Sequence, residues 1–154
     1  MAAPIKVLAI ALLAELNSAT GKTFTRRYAP YYDSEQLVEA KYFVIATRER
    51  NSVAARTVER SDLTILVGVQ QALPDTADKN DEFIENTEWL DDRMDEVETI
   101  KALFRPGGAL RNKSIGGCEF KSMANDPVYM PELLLDNAIF TSMLELVYEF
   151  ETEG

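Results

Sequence analysis

The sequence predicts an α+β domain in which a mainly antiparallel sheet is flanked by an N-terminal helix and a long amphipathic helix. Three observations carry this. Apolar residues recur at three- and four-residue steps near the start and again around residues 81–104. Runs of β-branched and aromatic residues lie between and after those segments. The polar stretch joining the two central runs is too short for a crossover helix, so those runs pair antiparallel. No linker, low-complexity tract or internal repeat divides the 154 residues, and residues 1–154 read as a single domain.

Pro4 suits a first helical turn, and Ile5, Leu8, Leu12, Leu13 and Leu16 then fall on one face. Val7 and Ile10 make the other face apolar, which predicts a helix covered on more than one side, either by its own sheet or by a neighbouring subunit. Asn17–Lys22, containing Gly21, ends it. Lys6 ahead of the apolar run Val7–Ala14 has the outline of a leader, but Pro4 and the early break at Glu15 favour a helix. Thr23–Asp33 reads as a short strand that Pro30 terminates. Asp33 or Ser34 is expected to cap a helical turn over Glu35–Ala40 anchored by Leu37 and Val38. Lys41–Thr47 has too many consecutive apolar residues for a one-sided strand and reads as central. Arg48–Ser52 reads as a charged turn, followed by one bent strand or two within Val53–Gln71, with Leu63–Val69 at its core. Lys41–Thr47 and Leu63–Gln70 should then lie side by side, and Leu73–Asn80 reads as a surface loop.

Asp81–Phe104 predicts the long helix. Phe83, Thr87, Leu90, Met94, Val97 and Phe104 form its apolar stripe, with Ile84, Ile100 and Leu103 beside it. Nine acidic residues crowd Asp81–Glu98 while Lys101 and Arg105 sit at the end, an order that complements the helix dipole. Pro106-Gly107-Gly108 stops it. A strand with Ile115, Cys118, Phe120 and Met123 follows, in which Gly116-Gly117 marks a bulge or close backbone approach. Asn125–Pro127 is a turn, and Pro131–Leu135 a short helical turn. Ala138–Glu151 is a final strand with Phe140, Leu144, Leu146, Tyr148 and Phe150 facing the core.

Sixteen basic residues against 26 acidic ones give a net charge of −10, with no histidine and one cysteine. The absence of imidazole excludes Ser-His-Asp and Cys-His chemistry and histidine metal sites. Cys118 alone forms no internal disulfide, and without histidine to activate it reads as a small buried hydrophobe. The acidic balance disfavours binding to the outside of nucleic acid. No apolar run reaches the roughly 18 residues that span a bilayer. Asp91-Asp92-Arg93-Met94-Asp95 matches a magnesium-diphosphate pattern but lies in a helix acidic throughout, so a solvated face is the better reading. Gly21-Lys22-Thr23 lacks the earlier glycine and preceding strand of a phosphate loop. No catalytic, cofactor or metal residue is assigned, and the chain reads as a non-enzyme.

Arg26, Arg27, Arg48, Arg50, Arg56 and Arg60 form a positive block in this acidic chain. They are either edge charge that blocks aggregation or one side of a head-to-tail contact whose other side is carboxylate-rich, and such contacts close into rings. The order of features then becomes informative. An N-terminal helix is followed by Phe24-x-Arg26-Arg27-Tyr28-x-Pro30-x-x-Asp33-x-x-x-Leu37 and the Val44-Ile45 strand. Arg56 and Asp62-x-x-Ile65-x-Val67-x-Val69-Gln70 come next. This resembles the tail terminator (tail completion) proteins of long-tailed bacteriophages. The likeness covers most of the chain, although Arg105–Met130 matches no pattern.

The resemblance implies a structural virion protein of the neck, made in the host cytoplasm, that forms a hexameric homo-oligomeric ring on the tail tube. Its implied partners are the tail tube protein and a head-completion or connector protein, with no cofactor and no membrane. DNA would pass through the channel without specific binding. On this reading Phe24, Arg26, Arg27, Tyr28, Pro30, Asp33, Arg48, Arg50 and Arg56 are expected at the subunit or tube interface. The acidic residues Glu85, Glu88, Asp92, Asp95, Glu145 and Glu149 are expected to face the channel. A head-to-tail adaptor or stopper, and a small acidic binding protein, are the alternative readings.

Overall fold

Pro4 has no amide hydrogen to lose in a first helical turn, and α1 runs from Pro4 to Thr20 in the computed structural model, which describes residues 2–29, 36–73 and 87–153. Gly21 ends the helix in the left-handed region at φ 71, where its N–H donates to the Asn17 carbonyl. Leu8, Ala9, Leu12 and Leu16 are buried, whereas Val7 and Ile10 remain exposed, Ile10 by 50%. Among the described residues of the single chain, the face of α1 carrying Val7 and Ile10 is therefore not covered by the sheet.

Five strands follow: β1 (Phe24–Arg27), β2 (Lys41–Ala55), β3 (Val58–Ala72), β4 (Glu119–Ala124) and β5 (Ile139–Glu153). Their order in the sheet is β1-β2-β3-β5-β4, antiparallel except for the parallel β1–β2 pair. Lys41 to Ala46 face Gln70 to Ile65, as the hairpin expectation requires. Arg48–Ser52, however, is not a turn. It continues β2, and the chain reverses at Arg56-Thr57, between the paired residues Ala55 and Val58. Asn51 and Ser52 favour a turn locally, but their pairing with Ser61 and Arg60 in the ladder overrides that preference.

Alternation divides the sheet into two faces. Val44, Leu63, Ile65, Val67, Val69, Leu144, Leu146 and Tyr148 face α1 and α2 (Thr87–Ala102) and build the core with Leu8, Leu12, Leu16, Val97, Ile100 and Phe104. Phe140, Leu144, Leu146 and Tyr148 are inward as expected, and Phe150 packs partly against the same cluster. Phe43 and Ile45 point the other way. The Phe43 ring lies over Gly68, where an added Cβ would come within 2.2 Å of it. At Gly116, φ is 58 and an added Cβ would lie 3.1 Å from the Leu8 Cα, so Gly116-Gly117 is a close backbone approach to α1.

The expected helical turn after β1 is a three-residue 3-10 turn, Gln36–Val38, and it anchors through one residue. Leu37 is buried and Val38 is exposed. A short α3 (Pro131–Asn137) leads into β5, and the Met130 N–H donates to the Thr141 carbonyl. Pro30, Asp33 and Ser34, the loop 74–80 and residues Asp81–Glu85 with Phe83 and Ile84 lie outside the described residues. Among the described residues, no helix is long and apolar enough to cross a membrane.

Candidate functional site

β2 and β3 are each 15 residues long, longer than the helices cover. Thr47 through Thr57 are exposed without interruption, Val53 by 78%, so β2, β3 and β5 continue past the core as a three-stranded arm. Register sets the side chains of this arm in rows. Arg50, Asp62 and Glu149 face one another across the three strands, as do Ser52, Arg60 and Glu151.

Arg60 donates to Glu151 through Nε at 3.3 Å and through Nη2 at 2.9 Å, and forms an ion pair with Glu149 at 3.2 Å. The hydrogen bond to Glu151 and the neighbouring carboxylates hold its guanidinium above its ordinary pKa. Lys121 on β4 donates to one Asp62 oxygen at 2.9 Å, while the other is buried and has no hydrogen-bond partner among the described residues. Arg48 and Arg50 line a cleft of about 160 Å³ with Asp62, Thr64, Glu145 and Val147. Arg48, Arg50, Arg60 and Lys121 thus share one sheet face with Asp62, Glu145, Glu149 and Glu151, and Glu119 adds a further carboxylate level with Glu149. Glu145 lies level with Leu66 and Ala124, and Glu149 with Asp62 and Glu119, while the Arg60 guanidinium reaches Glu149 at 3.2 Å.

The second acidic set lies on α2. Glu88, Asp91, Asp92 and Asp95 are exposed. Glu96 accepts a hydrogen bond from the Tyr42 hydroxyl and lies 3.6 Å from Arg93 and 4.0 Å from Lys22. Burial, then the bond to Glu96, pushes the Tyr42 phenol well above its ordinary pKa. Glu98 pairs with Lys101 at 3.6 Å and with Arg105. α2 packs on the face carrying Val44, opposite the face carrying Glu145, so the two acidic sets point to opposite sides of the sheet.

The remaining interface candidates separate. Phe24 is a core residue, its ring 5.4 Å from that of Tyr42, and is withdrawn from any interface. Arg26 donates to the Tyr28 hydroxyl at 3.1 Å and lies over its ring, and Tyr28 is 79% exposed. Arg27 sits opposite Ile45 in the β1–β2 register. Arg56 occupies the tip of the arm. Pro30, Asp33 and Glu85 lie outside the described residues. Arg48 and Arg50, expected apart from the acids, stand instead in one patch with Glu145 and Glu149. Sequence reading placed Arg60 in the arginine block and Asp62 in the motif but missed Lys121, and it could not find their partners, which lie 59 and 91 residues away in the chain.

Both edges of the sheet are incompletely covered. β1 pairs with β2 only from Tyr42 to Ile45, leaving Ala46–Ala55 without an outer partner strand among the described residues. On the other side, β4 pairs with β5 only from Glu145 to Glu149, leaving the end of β5 and the outer side of β4 open in the same sense. Cys118 is buried, and burial pushes its thiol up to about 11, which keeps it protonated and inert at neutral pH. No protein-family model matches the chain, and no curated protein matches it.

Proposed function

We propose that this chain is a structural protein of the neck of a long-tailed phage particle. It forms a ring, hexameric in the family its motifs resemble, on the end of the tail tube, where it stops tube growth and offers the joining surface to a head-completion or connector protein. The observation that carries the reading is a sheet open at both edges whose β2 edge is basic and whose β5 end is acidic. That body suits repeated head-to-tail contact rather than a closed two-fold pair. DNA passes through without specific binding because neither sheet face carries a net positive field: one interleaves its cations with at least as many carboxylates and the other bears the exposed acids of α2.

Deletion of the gene tests the role. Tails of uncontrolled length are expected. Tails of normal length left unattached to filled heads would assign the chain to an adaptor or stopper instead. A chain that stays monomeric in solution and is absent from particles would assign it to the small acidic binding proteins.

A further inference from the structure

We propose that the open edge of β2, from Ala46 to Ala55, is completed by the opposite edge of a second copy of this chain, the outer side of β4 together with the end of β5. The sheet then continues from copy to copy.

Four observations carry this. First, among the described residues the arm has no layer of its own on either face: Thr47–Thr57 are exposed throughout, and Val53 stands in solvent by 78%. An extended edge of this length displays a row of unpaired N–H and C=O groups, which template another strand. Second, the two edges are unlike in charge. Thr47–Arg56 carries three arginines against one glutamate, whereas Glu149–Glu153 carries three glutamates and no cation. Two β2 edges brought together would set like charges side by side, which disfavours the two-fold alternative.

Third, strand direction is compatible with continuation. β2, β3, β5 and β4 alternate in direction, so a following β2 runs antiparallel to β4. Fourth, heights agree. Through the register, Arg48 aligns with Thr64, Val147 and Ser122 in one row across all four strands. The open stretch of β2 therefore lies level with β4 and the β5 end, and a copy rotated about an axis along the strands meets matching backbone. The inference rests on the ring reading for the number of copies and not for the pairing itself.

Cysteine cross-linking of the full chain tests it. Ser122→Cys on β4, which the register sets level with Arg48, is combined with a cysteine placed in turn at Thr47, Arg48, Glu49 and Arg50 on β2. Within one chain β2 and β4 are separated by β3 and β5, so such cysteines stand about 14 Å apart, beyond the roughly 7 Å between Cα atoms that a disulfide tolerates. Only contact between copies can join them. Mild oxidation at high protein concentration should yield a ladder of covalent multimers for at least one pair, and the β2 cysteine alone should yield none. Absence of multimers for every pair, with folding verified by circular dichroism, would overturn the proposal. So would dimers from a β2 cysteine alone, which would show β2 pairing with β2. Cross-linked ladders together with normal tail length on gene deletion would retain the edge pairing while rejecting the neck function.

Discussion

Gly116 shows how a single residue sets the spacing of two elements. Its φ of 58 and the 3.1 Å that would separate an added Cβ from the Leu8 Cα leave room for hydrogen only. Gly116→Ala should lower unfolding free energy by roughly 1–3 kcal/mol, combining left-handed strain with displacement of α1, as measured by urea denaturation. Cys118 is legible at the same scale. Its thiol is raised by burial from 9.0 to about 11, so the unfolded chain releases that proton at lower pH than the folded one. The group's contribution to stability is then fully present below about pH 9 and is lost as pH rises toward 11. A thiol reagent at neutral pH should leave native protein unlabelled and modify one thiol per chain once denaturant is added.

At the scale of elements, α1 and the arm make opposite uses of apolar residues. The inward stripe of α1 holds Leu8, Leu12 and Leu16 against the sheet, while Ile10 faces solvent. Leu12→Ala should cost about 2–5 kcal/mol and Ile10→Ala about 0.5 kcal/mol or less, a contrast that thermal or urea unfolding resolves. The arm is held by strand pairing and by charge rows. Arg60 reaches both Glu149 and Glu151 in solvent, so Arg60→Ala should shift the thermal midpoint slightly at low salt and not at all at 1 M salt. A shift that persists at high salt would mean the side chain acts through packing.

At the scale of the whole molecule, the sheet separates two acidic sets that the sequence presents as equivalent. Glu88, Asp92 and Asp95 lie with α2 on one side, and Glu145 and Glu149 lie on the other. In a ring closed through sheet edges only one side faces the channel. Reversal to lysine of one set, and one only, should therefore slow DNA passage, read as the rate of DNA ejection from assembled particles. An equal effect of both sets, or of neither, would reject a channel bounded by a sheet face.

The sequence by itself determined the α+β class, the apolar faces of both helices and the inward side of the last strand, because periodicity records burial against a layer wherever one exists. The charge total of −10 was equally legible. The arm was not: where both faces of a strand meet solvent, no alternation survives, and Arg48–Ser52 looks like a turn. The parallel β1–β2 pair, the burial of Phe24 and the row Arg50–Asp62–Glu149 were decided only by tertiary structure. Each depends on register between segments far apart in the chain. Register also settles which carboxylates of the sheet meet a cation, as Glu149 and Glu151 meet Arg60, and hence what that face offers to another copy or to DNA.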